Sequence, residues 1–154
     1  MRISQTFNYE MIAMLNKHVH DLHVELYPQY FKEYNYESMK RFFSTIINNE
    51  DFIFLLLEDE SETIGYAWIE IKNYLENPFR IAHQSVYVHH ISIVETKRNK
   101  GYGTRCMDYI YQLAKSNGID LIELDYWTKN VMARDFYKKH EFTPYREFVY
   151  KNIL

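Results

Sequence analysis

Residues 83 to 127 hold the segment that most restricts the fold. "HQSVYVHHISIV" is an apolar, β-branched run, and "ETKRNKGYGT" is a basic turn holding two of the chain's four glycines. A helical pattern over residues 102 to 116 follows, with Cys106, Ile110, Leu113 and Ala114 on one side, and then the apolar run "IDLIELDYW". Gly118 is placed to end the helix, because glycine accepts the left-handed conformation found there. Strand, helix, strand in that order implies a parallel pair joined by a right-handed crossover. An α/β sheet is therefore expected.

The flanking sequence makes that sheet one of mixed direction. "DFIFLLLED" and "ETIGYAWIEI" read as consecutive strands joined by the polar turn "EDESE", a solvated hairpin. Before them, Met11, Leu15, Val19, Leu22 and Leu26 recur at helical spacing over residues 8 to 26, and Pro28 stops the pattern. Residues 38 to 48 suggest a second helix capped by Ser38, with Met39, Phe42, Phe43, Ile46 and Ile47 on its apolar side. After residue 127, "NVMARDFYKKH" reads as a short helix and "PYREFVYKNI" as a final strand.

Composition narrows the function classes. A chain of 154 residues reads as one domain, residues 1–154, with enough length for a sizeable core. A net charge of −3 lacks the basic footprint of nucleic-acid binding, so no nucleic-acid partner is expected. Cys106 is the only cysteine, which excludes an intrachain disulfide and a cysteine metal cage. The start "MRISQTFNYE" has no signal pattern and no apolar run reaches membrane-spanning length, so a cytoplasmic protein without a membrane partner is expected. Fifteen tyrosines within an 18% aromatic content point to a lined pocket or a partner surface.

The glycine turn suggests an anion site. A helix start presents unpaired N–H groups and partial positive charge, and glycines let the backbone approach a phosphate. Arg98 offers a two-pronged donor set, and Lys97 and Lys100 offer point charges. The plain alternative is a tight strand-to-helix turn. The string is neither a P-loop, which needs a G-K-[ST] ending, nor a dinucleotide fingerprint, because Cys106 stands where a third glycine belongs.

What remains is Arg98-Asn99-Lys100-Gly101-Tyr102-Gly103, an R-x-x-G-x-G after a strand and opening a helix. It resembles the acyl-CoA pyrophosphate loop of the GNAT superfamily of CoA-dependent N-acyltransferases. The later "NVMARDFYKKHEF" is similar to that family's N-x-x-A-x-x-F-Y-x-x-x-G-F segment, with Asn130, Ala133, Phe136, Tyr137 and Phe142 in register. The resemblance covers about residues 51 to 150 and is loose over the N-terminal helices. It implies a mostly antiparallel central sheet with a splayed parallel strand pair, flanked by helices. Residues 1–50 would form a helical acceptor-side segment and residues 84–140 the acyl-CoA-binding core.

The resemblance also implies roles. Backbone N–H groups of Arg98, Asn99, Lys100, Gly101, Tyr102, Gly103 and Thr104 would hold the pyrophosphate of acetyl-CoA as co-substrate. Ile91, Ser92 and Ile93 would bind the pantetheine arm, and their backbone would polarise the thioester carbonyl. Asn130, Ala133 and Phe136 fall in the cofactor-binding segment, Asn130 either touching pantetheine amides or simply capping a helix. Tyr137 matches the general acid that protonates the departing thiolate. His89 and His90 occupy the strand positions of the usual base. His89 is the better match, and strand alternation turns only one of the two into the cleft; bulk water is the alternative base. Glu141 departs from the family's glycine and must adopt a left-handed conformation or end its helix differently.

On the acceptor side, His20, His23 and Tyr27 share a helix face, with Tyr30 just beyond. His20 and His23 lie one turn apart beside Asp21, but nothing completes four ligands, so no metal is expected. The acceptor implied is an amine: a small molecule, an antibiotic, or a peptide or protein amine. A homodimer through an exposed sheet edge is also implied. The alternatives to an N-acetyltransferase are a non-catalytic acyl-CoA sensor and an interaction domain whose glycine turn binds nothing.

Overall fold

The computed structural model describes residues 1–154 as a five-stranded sheet with helices on both faces. The chain runs β1 (Arg2–Gln5), α1 (Tyr9–Leu26), α2 (Tyr36–Ile46), β2 (Phe52–Asp59), β3 (Glu62–Tyr74) and β4 (His83–Ile93). A 3-10 turn (Glu95–Lys97) leads to α3 (Tyr102–Ser116), β5 (Ile122–Leu124) and α4 (Val131–Lys139). The sheet order is β1-β2-β3-β4-β5, antiparallel except for the parallel β4–β5 pair. That pair is the crossover unit expected from residues 83 to 127.

Alternation along the strands divides the interior. Leu55 and Leu57 of β2 face a core with Ile64, Ile69, Val86, Cys106, Met107 and Ile110, under α3. Phe54, one residue before Leu55, faces the other side with Ile12, Leu15, Phe43 and Tyr66, under α1 and α2. Each fully buried leucine or isoleucine contributes about 1.5–3 kcal/mol. In α1 the buried residues are Ile12, Ala13, Leu15 and Asn16, whereas Met11, Val19, Leu22 and Leu26 are only half-buried. The second half of α1 borders a cavity instead of the core.

Several expectations need correction. Asn35, not Ser38, caps α2; its side chain accepts the Ser38 N–H at 2.9 Å, so Ser38 lies inside the first turn. The strand expected over residues 119 to 127 is reduced to Ile122–Leu124, because pairing with β4 stops at Val88↔Leu124. Residues 144 to 153 form no strand: no edge of the chain pairs with them, and β-rich composition alone does not make a ladder. The strand β1 had no expectation behind it; "RISQ" holds one apolar residue and is ordered by pairing with β2.

The "EDESE" hairpin is less solvated than its charge suggests. Glu60 and Ser61 take positive φ of 47° and 66°, as a two-residue turn of this twist requires. Around them, Asp59 meets the Met1 ammonium at 2.8 Å and accepts the Tyr102 O–H at 2.6 Å. Glu62 pairs with Lys97 at 2.6 Å, and Glu58 with Arg2. The acidic turn thus ties β1 to the sheet and braces the glycine loop.

Candidate active site

The glycine loop stands at the start of α3. Asn99 and Gly101 take positive φ of 60° and 81°, and a Cβ on Gly101 would meet nothing, so conformation alone demands that glycine. Gly103 has a different duty: a Cβ there would come within 3.1 Å of the Phe136 ring, so it lets α3 pack against α4. The first backbone bond of the helix runs from Arg105 N–H to Gly101 O at 3.1 Å. The N–H groups of Tyr102, Gly103 and Thr104 therefore have no helical acceptor and form a concave donor set. Lys97 is committed to Glu62, and Arg98 donates from Nε to Ile93 O at 3.2 Å. Lys100 is exposed and is the basic group with no such commitment.

Pairing with β5 ends at Val88, while β3 continues along β4 to Ile93. One edge of β4 from His89 to Ile93 is therefore open and leads toward the glycine loop. Free N–H and C=O groups on such an edge match the amide groups of an extended pantetheine arm. Together with the bare N–H groups of the loop, the residues present fit acetyl-CoA.

Beside this edge lies a cavity of about 330 Å³, lined from α1, α2, β3, β4, α4 and the segment before α4. It contains His20, His23, His89, His90, Ile91, Asn130, Ala133 and Tyr137. His89 and His90 both line it, contrary to the alternation expected. The register steps from Trp68↔His90 to Ile69↔Val88, so His89 is the extra residue of a bulge and the strand's alternation breaks there.

The two histidines have different chemistry. His89 donates from Nε2 to Glu70 at 2.6 Å and stacks on Trp68 with ring centroids 4.3 Å apart. Burial lowers its pKa despite the opposing pull of Glu70, so it is neutral at pH 7. With Nε2 holding the proton, Nδ1 is its basic nitrogen. His90 is held by Tyr66 O–H at 2.8 Å through Nδ1, and the Tyr66 oxygen accepts Asn16 Nδ2–H at 2.8 Å. Tyr66 thus donates to His90, whose proton rests on Nε2. Burial pushes the His90 pKa down to about 3. His89 is a competent base near neutrality; His90 is a neutral hydrogen-bond donor.

Tyr137 lines the cavity, packed between Tyr126, Phe136 and Phe142. Burial raises its pKa, which keeps the phenol protonated. Asn130 caps α4 by accepting Ala133 N–H at 3.1 Å and also lines the cavity. Glu141 takes φ of 64°, the left-handed conformation that a glycine would hold without strain. Phe136 packs against Gly103 and the His140 ring, and Ser92 is buried in the sheet.

On the acceptor side His20 and His23 line the cavity, whereas Tyr27 and Tyr30 do not. Tyr27 is buried and its hydroxyl accepts Lys129 N–H at 3.0 Å; Tyr30 is exposed and stacks on Trp127. Phe31, from the aromatic segment expected on the acceptor side, also lines it, and the wall is completed by Asn16, Val19, Met39, Phe42, Phe43, Trp68, Asp125, Tyr126 and Trp127, which sequence reasoning did not single out for this purpose. Phe42 carried the helical-period signal for α2, and "DYW" stands two residues before the "NVMARDFY" segment. A shallow groove of about 600 Å³ near Met1, Ile3 and α3 gathers none of this chemistry. No three metal-ligating side chains converge, and no helix is long and apolar enough to cross a membrane.

Comparison with known proteins agrees with this geometry. The family model described as "Acetyltransferase (GNAT) family" matches residues 17–142. A variant of the BH1408 protein from Bacillus halodurans superposes with a TM-score of 0.92 at 25% identity, covering 100% of both chains. A predicted acetyltransferase with acetyl-CoA from Clostridium acetobutylicum gives a TM-score of 0.69 at 18% identity, covering 99% of this chain and 96% of that one. An aminoglycoside antibiotic 6'-N-acetyltransferase from Acinetobacter haemolyticus gives 0.72 at 14% identity, with 99% and 97% covered. No curated protein matches in sequence. Loop, open strand edge and cavity thus coincide with a sequence match over most of the chain, and the protein belongs to the GNAT acetyltransferase family.

Proposed function

We propose that the protein is an acetyl-CoA-dependent N-acetyltransferase whose acceptor is a compact primary amine on an apolar body. The observation that carries the reading is the meeting of the open β4 edge, Tyr137 and His89 at one cavity. Acetyl-CoA supplies an activated thioester; the rest of the chemistry falls to the chain. His89 takes a proton from the entering ammonium at Nδ1, while Glu70 holds its tautomer through Nε2–H. The amine lone pair forms the C–N bond as the C–S bond breaks, Tyr137 O–H gives its proton to the departing thiolate, and the acylated nitrogen releases its second proton, which returns through water to Tyr137. His90 Nε2–H is a donor available to the carbonyl oxygen, where charge develops. His90 is a poor base by comparison: each unit by which its pKa is lower costs about 1.4 kcal/mol in accepting the proton.

The lining bears on the acceptor. Asp125 is the one carboxylate in it, and it already accepts the Tyr87 O–H at 2.7 Å. A polyamine or aminoglycoside needs several carboxylates to replace its hydration, whereas Phe31, Phe42, Trp68 and Trp127 suit one ammonium on an aromatic or aliphatic body. The test is thiol release from acetyl-CoA across a panel of arylalkylamines, alkylamines, polyamines, aminoglycosides and peptides. Tyr137→Phe is expected to lower kcat about 10²-fold or more, with the KM for acetyl-CoA within about twofold of wild type. Acetyl-CoA binding without turnover on any amine would favour the sensor reading, and an equal loss of kcat and affinity would remove Tyr137 as general acid.

A further inference from the structure

The basic groups of the glycine loop are mostly committed. Lys97 pairs with Glu62, Arg98 donates to Ile93 O, and Lys100 alone stays free and exposed. Another side chain able to carry positive charge reaches the same helix start from α4. Gly103 lets Phe136 come close to α3, and the His140 ring packs on Phe136 with centroids 4.6 Å apart. His140 is the C-terminal cap of α4, and the left-handed Glu141 turns the chain directly after it. The ring is thereby held against the first turns of α3.

Both ring nitrogens of His140 meet hydroxyls. Nε2 lies 3.2 Å from Thr104 Oγ1, and Nδ1 lies 3.5 Å from the Tyr111 hydroxyl oxygen. Thr104 belongs to the bare N–H set at the helix start, so its hydroxyl borders the place that suits a diphosphate. The proton count of the ring decides what that hydroxyl does. A neutral ring has one N–H; with the proton on Nδ1, Nε2 accepts and draws the Thr104 O–H inward. A ring protonated on both nitrogens donates to both oxygens, which turns the Thr104 O–H outward and brings a positive charge to the helix start. The surrounding charges leave that role open. Asp108, on the α3 stripe between Thr104 and Tyr111, and Glu141 both act on the Tyr111 hydroxyl, but neither bonds to the His140 ring. Lys138 and Lys139, at the end of α4, set positive charge against those carboxylates.

We propose, resting on the acetyl-CoA reading of the loop, that His140 is a positioning residue for the cofactor's diphosphate: the charged ring presents Thr104 O–H as a donor, and cofactor binding takes up a proton at His140. A bound anion favours the protonated ring, and by linkage the protonated ring favours the anion. Affinity for the cofactor therefore rises as pH falls through the range in which histidines gain charge. For a partly exposed charge interaction the effect is roughly three- to fivefold in affinity.

Calorimetric titration with CoA at pH 6 and pH 8 tests this on the full chain, unaltered and as His140→Gln. The phosphate monoester of CoA titrates in the same interval, but it contributes equally to both proteins. The gain in affinity from pH 8 to pH 6 is expected to be about three- to fivefold larger in the unaltered protein than in the variant. Proton uptake, read from titrations in two buffers of different ionisation enthalpy, is expected to shrink in the variant by the share belonging to His140. The ring itself gives a readout that does not depend on how the variant folds. Its proton resonances, assigned through their contact with the Phe136 ring, are expected to move toward the protonated positions when CoA is added at pH 7. Equal pH dependence in the two proteins, or resonances that CoA leaves unmoved, would overturn the proposal and leave the acetyl-CoA reading intact. An unaltered protein that binds no CoA at millimolar concentration would overturn both.

Discussion

Replacing Tyr66 with phenylalanine tests the hydrogen-bond chain that holds His90. Tyr66 is fully buried, accepts from Asn16 Nδ2 and donates to His90 Nδ1, both at 2.8 Å. Removing one oxygen changes the packing little but strands a donor and an acceptor, at about 1–3 kcal/mol for each buried group. Asn16 is 3% exposed and its Oδ1 already lacks a partner, so nothing else compensates Nδ2. His90 faces the cavity, where water reduces the penalty on its side. The sum is a loss of about 2–4 kcal/mol, which lowers Tm by roughly 5–15 °C in a chain of this size. Urea unfolding followed by circular dichroism at fixed protein concentration measures it. Adding Asn16→Leu should recover at least about 1 kcal/mol of the loss, because replacing both partners by apolar groups removes the unpaired donor. A single-variant loss below about 0.5 kcal/mol, or strict additivity in the double variant, would refute the chain as drawn.

Other outcomes follow from the same geometry. His90 has its folded pKa depressed to about 3, so it contributes stability above pH 6.5 that is lost as pH falls toward that value. Full linkage is about 2 kcal/mol between pH 6.5 and 5; halved for cavity water, about 1 kcal/mol should vanish over that interval in wild type but not in His90→Gln. Glu70 raises the His89 pKa against the larger effect of burial, and the base works unprotonated, so activity falls as pH drops through that pKa. Glu70→Gln should therefore move the acidic limb of the kcat/KM profile to lower pH, and an unmoved limb would point to water as base. Glu141→Gly relieves about 1–2 kcal/mol of left-handed strain and returns about 0.5–1 kcal/mol in unfolded-state entropy. A net gain of about 0.5–1 kcal/mol in urea unfolding is expected.

The half of the molecule that carries the glycine loop was legible in its fold because its signals are local. The β-branched run, two glycines and amphipathic helix of residues 83 to 118 each specify conformation without reference to distant residues. Asn130 capping α4, and the left-handed Glu141, followed from single positions. The cavity wall depends on register and loop path instead. His20 and His23 followed from helical spacing, but Tyr27 turned away to Lys129 once the segment after α1 folded back and brought Phe31 to the cavity. Trp68 entered the wall through its place on β3, and His89 joined His90 through a bulge that alternation does not foresee. The tail misled for a related reason: a strand is a relation between two segments, and "PYREFVYKNI" describes only one of them.

The placement of Trp68 and Trp127 has a practical consequence. They are the only tryptophans in the chain, and both line the acceptor cavity. Trp68 stacks on His89, and Trp127 packs against Tyr27 and Phe31. Selectively excited indole emission therefore originates wholly at this cavity. The protein carries a native optical probe there, and on the proposed reading a bound amine is expected to change the emission. Ligand screening then needs no label, no co-substrate and no turnover.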